Sequence, residues 1–305
     1  MKFRYSLGAM LVAAPFILGG PAKADIIDLT AGGGGSVQIK FNNYESFGNL
    51  GPGGTLQVGS TNFGVFEVTS IVQNGGSLFS APPLTGPGST GDYIIGVFSG
   101  ITVSSISGVS PNLNTGNSGG VFNFYEVTQA ELSSGGFNPH NILSSVFGQG
   151  TGGYAAAGGG CTTNAQCYNG ITNVGAADFL NFKLVPGANA AGDTLSVQLN
   201  TTSVPVTGSA NGFGDITGGV GAPQFTTGTF TTGIGTKADV SFADEFCPNG
   251  SGGQCTPGVG NWSNESFDPA SATVAAPEPG SVTLLGSALL ALGFVGYLRR
   301  RSGRA

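Results

Sequence analysis

Basic side chains are scarce in this chain, which has ten Lys and Arg in 305 residues against sixteen Asp and Glu, with one His and one Trp. With His140 alone available, any Ser-His-Asp or Cys-His mechanism must pass through that residue, and no Gly-x-Ser-x-Gly elbow accompanies it. Set in Gly-Phe-Asn-Pro-His-Asn, it reads as a surface turn residue, and no catalytic residue is assigned. From Asp25 to Glu278 the only basic side chains are Lys40, Lys183 and Lys237, while all sixteen acids fall there, a net charge of −13. Such a surface repels nucleic acid and anionic lipid, whose binding depends on Lys and Arg. It suits neutral polysaccharide, divalent cations or basic partners. The four cysteines form no C-x-x-C pair, and a single histidine cannot complete the usual zinc sets, so no metal site is assigned to them.

Glycine is abundant, with 56 residues, and short apolar runs lie between Gly, Ser, Thr and Asn clusters. Several runs alternate: Val37, Ile39 and Phe41; Leu180, Phe182 and Leu184; Leu195, Val197 and Leu199. Period two means one buried and one solvated face, the pattern of antiparallel strands. Further strands are expected at residues 65–72, 93–106, 121–127, 225–230 and 238–242, with short helical turns at 130–132 and 176–179. Clusters such as Gly32 to Gly35, Gly51 to Gly54 and Gly158 to Gly160 read as loops between strands. The expected fold is all-β, an antiparallel β-sandwich or jelly-roll-like exported body, with one C-terminal transmembrane helix.

Both ends read as targeting segments. Met1-Lys2-Phe3-Arg4 is a basic n-region, Leu7 to Gly19 an apolar stretch, and Ala22-Lys23-Ala24 a small-residue cleavage site, so residues 1–24 read as a secretory signal peptide cut by signal peptidase before Asp25. At the other end Ser281 to Leu298 carries no charge. At about 1.5 Å per residue such a helix approaches the roughly 30 Å hydrocarbon core of a bilayer. Arg299, Arg300 and Arg301 then set the cytoplasmic side. Before the apolar run, Pro277-Glu278-Pro279 holds the chain extended and accessible. The domain plan is therefore a signal peptide (1–24), an acidic all-β body (25–249), a Gly/Ser/Pro-rich tether (250–275) and a C-terminal signal (276–305).

The run APEPGSVTLLGSALLALGFVGYLRRR resembles a PEP-CTERM sorting signal, the bacterial tripartite tag handled by exosortase, a membrane-embedded cysteine transpeptidase. The resemblance covers about a tenth of the chain. It implies that the tail is removed near Pro277-Glu278-Pro279, after an intermediate anchored in the inner membrane, and that the body reaches the cell surface or extracellular matrix. A weaker likeness to flocculation-associated PEP-CTERM proteins lies in residues 208–242 and 262–269, with Asn-Gly-Phe, Thr-Gly-Gly and Ala-Asp-Val-Ser-Phe.

These readings lead to an exported, non-enzymatic component of extracellular polysaccharide, biofilm or flocs, structural or adhesive in role. A carbohydrate-binding module is the alternative, with Tyr44, Tyr93, Tyr125, Tyr154, Tyr168 and Trp262 as stacking platforms. A glycoside-active enzyme would need paired carboxylates, for which Glu67, Glu126, Asp178 and Asp239 are candidates. Ice binding would use Thr227, Thr229 and Thr231 in a row on one strand face. No cofactor is assigned, and calcium is the one ion left room for, at Asp239, Asp244 and Glu245 or near Asp215. Export into an oxidising compartment and the short polar loops between them favour local disulfides Cys161–Cys167 and Cys247–Cys255 among three connectivities.

Overall fold

Inward and outward residues alternate down the chain, and in the computed structural model this alternation wraps into a closed antiparallel barrel. The structure describes residues 29, 33–80, 92–110, 112–128, 177–225, 227–248, 251–252, 255 and 262–274. The expected signal peptide (1–24), His140, Cys161, Cys167, Tyr154, Tyr168, residues 130–132 and the expected C-terminal signal (276–305), with Pro277, Glu278, Pro279 and Arg299 to Arg301, lie outside them. Among the described residues no helix is long and apolar enough to cross a membrane.

The walls are built in chain order. β1 (Gly35–Gly48) pairs with β2 (Thr61–Gln73), which is extended at one end by β3 (Gly76–Ser80) and pairs with β4 (Asp92–Val109). The first half of β4 pairs with β6 (Val121–Thr128) and its second half with β5 (Asn112–Ser118), so β5 and β6 act as one long strand. Gly119 and Gly120 join them with φ of +73° and +110°, a conformation only glycine adopts without strain. β7 (Ala177–Val185) and β8 (Leu195–Leu199) line up in the same way, and both pair with β9 (Gly208–Gly218). β9 pairs with β12 (Val240–Pro248), and β12 with β13 (Asn264–Val274). β13 pairs back onto β1, Gly35 opposite Val274 through Glu45 opposite Asn264, so the last strand meets the first. A minor hairpin of β10 (Phe230–Thr231) and β11 (Lys237–Ala238) and a short 3₁₀ turn at Ala222–Gln224 lie between β9 and β12.

The expected sandwich or jelly roll is thus corrected to a barrel. Period two reports one buried face, but it does not say whether that face meets a second sheet or curls onto itself. Closure removes the edges that a sandwich must protect. The alternating triplets Val37-Ile39-Phe41, Leu180-Phe182-Leu184 and Leu195-Val197-Leu199 all belong to the interior core.

Three further expectations change. Residues 264–274, read as tether, form the strand that closes the barrel and bury Ala270, Ala272 and Val274. Small inward residues and Asp268-Pro269 had disguised the strand. Residues 177–179, read as helical, open β7, where a register shift lets adjacent Phe179 and Leu180 both be buried. The run from Phe225 supplies only a bridge to Val274 and the two residues of β10, so no threonine row forms on a strand face.

The core is a stack of phenylalanines made possible by inward glycines. Phe122 stacks on Phe182 at 4.6 Å and 13° and on Phe98 at 5.2 Å and 16°, while Phe66 sits 4.5 Å from Phe124 and 5.4 Å from Phe41. β9 turns Gly208, Gly212 and Gly214 toward this stack. A Cβ there would lie 2.9 Å from Phe246 Cζ, 2.6 Å from Phe242 Cζ and 2.8 Å from Phe182 Cδ2. Gly64 likewise receives Phe98, and Gly96 receives Phe66. Five glycines inside strands therefore act as sockets for rings, not as loop punctuation. Aromatic contacts of this kind add about 0.5–1.5 kcal/mol beyond the area they bury.

Candidate functional site: a capped cavity in the barrel

At the barrel end opposite Gly35 and Val274, three inward rows change character at one level. β1 runs Phe41, Asn43, Glu45, Phe47; β12 runs Phe242, Asp244, Phe246; β5 runs Leu113, Thr115, Asn117. With Asn62 of β2 these polar groups line a cavity of about 50 Å³, whose other walls include Phe98, Ile101, Phe122 and Leu195. The loop between β1 and β2 caps it by turning Leu56 inward. The cap is pinned on two sides: Leu56 N–H donates to Thr202 O (2.7 Å), Val204 N–H to Gly54 O (3.0 Å), and Gly59 N–H to Val103 O (2.8 Å).

Glu45 is the focus of the cavity. It is 6% exposed, and its Oε2 accepts from Asn62 Nδ2 at 2.9 Å. Burial, with the charge of Asp244 next, pushes its carboxyl up to about 8, against the opposing Asn62 hydrogen bond. Glu67, buried on the outward face of β2, is pushed up to about 7 by burial. Among the described residues the lysines Lys40, Lys183 and Lys237 are all exposed, and none of them lines the cavity.

A second buried polar pair lies on the outer face, where Tyr44 of β1 is opposite Glu265 of β13. The Tyr44 hydroxyl donates to the Glu265 carboxylate. Burial and then Glu265 raise the phenol well above its ordinary range, while burial raises Glu265 and the Tyr44 hydrogen bond opposes this. Beside them Cys247 and Cys255 form a disulfide with Cα atoms 6.3 Å apart, tying β12 to the segment before β13.

The residues singled out from the sequence scatter. Asp239 has both oxygens engaged by backbone, Oδ1 accepting from Gly228 N–H (2.6 Å) and Oδ2 from Ile216 N–H (2.9 Å). It clamps the β10–β11 hairpin onto β9. Asp215 is raised by burial first and by Asp239 next, with Lys183, its cross-strand neighbour, opposing. Asp244 faces the cavity, whereas Glu245 is the next residue on the strand and points the other way. The calcium grouping of Asp239, Asp244 and Glu245 is therefore not brought together, and among the described residues no three His, Cys, Asp or Glu side chains converge to hold an ion. Of the carboxylates considered for glycoside chemistry, Glu67 is outward on β2 and Glu126 is buried opposite Ile94, while the Asp178 side chain is outside the described residues. Tyr44, Tyr93 and Trp262 are 4%, 0% and 6% exposed, which removes them as stacking platforms.

Asn43, Glu45, Asn62, Thr115 and Asn117 carried no motif. Their one sequence signal was phase, since the period that places Val37, Ile39 and Phe41 inward continues to Asn43 and Glu45. No family model, no curated protein and no solved structure matches the chain.

The acids define a pH dependence. Glu45 and Glu67 bind protons more tightly when folded than when unfolded, so their contribution is fully present below about 4.5 and lost as pH rises through about 7 to 8. The melting temperature should therefore fall from pH 5 to pH 8.5. Glu45→Gln should flatten that decline, as read by thermal melts across the range. A melt that rises over this window would contradict the assignment.

Proposed function

We propose that this chain is an exported surface or extracellular-matrix protein, anchored in the inner membrane by its C-terminal apolar run until exosortase acts at Pro277-Glu278-Pro279. The freed barrel then serves as a structural or adhesive component of extracellular polysaccharide, as in biofilm or flocs. The observation that carries this reading is the succession, along the sequence, of Pro277-Glu278-Pro279, an uncharged run from Ser281 to Leu298 and Arg299 to Arg301. The barrel supports it, because β13, the strand that closes the wall, ends at Val274, three residues before Pro277. A tag that follows a closed wall can be removed without opening the barrel. Burial of Tyr44, Tyr93 and Trp262 favours a matrix role over the carbohydrate-stacking alternative.

Replacing Pro277, Glu278 and Pro279 with alanine should leave an unprocessed, membrane-bound form, seen as a mass increase and a shift to the membrane fraction. Unchanged processing would mean that the tail is a plain anchor.

A further inference from the structure

We propose that a lateral row of side chains on the outer wall of the barrel, from β13 across β12, β9 and β8 to β5, binds a neutral polysaccharide chain with one sugar ring seated on Phe267. The proposal rests on the reading of the barrel as a polysaccharide component and names the face that makes the contact. Strand register builds the row. Phe267 is opposite Glu245, Glu245 opposite Ser209, Ser209 opposite Gln198, and Gln198 opposite Asn114. Period two turns these residues outward, because their chain neighbours Phe246, Ala210, Val197 and Leu113 belong to the interior core. At about 4.8 Å between strands, the row spans roughly 19 Å.

At its β13 end the row enters a groove of about 500 Å³, whose lining includes Phe267, Glu245, Ser209, Asn211 and Ala243. The groove has a local cause. β12 pairs with β13 at Phe242 opposite Ala270 and again at Glu245 opposite Phe267, and the ladder skips the two positions between, where Pro269 brings no N–H. Ala243 offers only a methyl group at that level, so the outer wall is left concave. The volume lies within the roughly 300–1,000 Å³ of small-molecule sites, which accommodates a sugar ring as the interior void does not.

The chemistry of the row selects the ligand. Glu245, Ser209, Gln198 and Asn114 are all exposed, so their polar ends face solvent, and Asn211 beside them is exposed as well. A carboxylate only accepts hydrogen bonds, whereas hydroxyls and amides both donate and accept. Acceptors and donors set side by side in this way match the vicinal hydroxyls of a sugar. Phe267, half-buried and none of the aromatics singled out from the sequence, supplies a ring on which the C–H face of a pyranose packs. The row holds no basic side chain, and its carboxylate, with a net charge of −13 over residues 25–278, repels uronic and sulfated sugars. A basic peptide would gain one exposed ion pair at Glu245, which is weak by itself.

The test is calorimetric titration of the full chain, in a detergent without a sugar head group, with hexasaccharides of glucose, mannose, galactose and N-acetylglucosamine. Hexagalacturonate and hexalysine serve as charged controls. Saturable heat with at least one neutral hexasaccharide, and none with hexagalacturonate, is expected. Phe267→Ala and Glu245→Ala should each weaken that binding about tenfold. Gln198→Ala combined with Asn114→Ala should weaken the hexasaccharide by about threefold or more and leave the disaccharide of the same sugar unchanged, because the shorter ligand ends in the groove. Absence of saturable heat with every neutral hexasaccharide, or hexalysine binding in their place, would overturn the proposal. Unchanged affinity in both single variants, or hexasaccharide binding by the double variant equal to that of the unaltered chain, would do the same. Should Phe267→Ala fail to fold, Glu245→Ala, at an exposed position, still decides. Sugar binding by the full chain does not depend on processing at Pro277-Glu278-Pro279, so failure here and failure of the sorting test are told apart.

Discussion

A chain cut after Ser263, lacking β13, is expected to lose cooperative unfolding altogether, while one cut after Ala276 should melt within about 3 °C of the full chain. β13 pairs on both sides, with β1 from Gly35 to Glu45 and with β12 from Val240 to Pro248. Its removal would open the barrel, expose the edges of β1 and β12, and uncover the cluster that Ala270, Ala272 and Val274 complete. Circular dichroism melts of the two truncations provide the comparison. Loss of structure in the longer truncation would make the C-terminal tail part of the fold and would count against the proposed processing.

The second large effect is expected at the glycine sockets. Gly96→Val should prevent folding, since a Cβ at that position would overlap the Phe66 ring on one side and the Asn123 carbonyl oxygen on the other. Backbone cannot yield there as a side chain can. Gly212→Ala meets a ring, Phe242 Cζ at 2.6 Å, and should cost about 1–3 kcal/mol through overpacking. Combining Gly212→Ala with Phe242→Leu should recover part of that loss, because the shorter side chain vacates the socket. Denaturant titrations of both single variants and the double variant measure the coupling. Strict additivity would show that the ring does not depend on that glycine.

The sockets also explain why the glycine content reads two ways. Clusters such as Gly51 to Gly54 do lie in the cap between strands, as glycine-rich runs in a sequence suggest. Gly208, Gly212 and Gly214, however, belong to a strand and face inward. Linear order cannot separate these uses, because the requirement comes from rings on β7 and β12. The same limit applies to the acids: Asp239 and Asp244 are five positions apart, yet one clamps backbone amides and the other lines the cavity.

The expected local disulfide between Cys247 and Cys255 is present, since eight residues of separation suffice to bring the two together once β12 ends. Three alternating triplets are in the core as their period required. What period could not supply was the partner of each strand. Neither the pairing of β1 with β13, far apart in the chain, nor the meeting of Glu45 with Asp244 leaves any mark on residue order.

The amino-acid sequence by itself determined the strand class, the inward phase of the apolar rows and the acidic balance of residues 25–278. These depend on local spacing and composition, which a linear chain expresses directly. Only the tertiary structure decided that the sheet closes, that residues 264–274 are its final strand, and that two carboxyl groups share a capped void. Each of those follows from contacts between distant segments, where burial and ring packing choose among folds that the same local pattern permits.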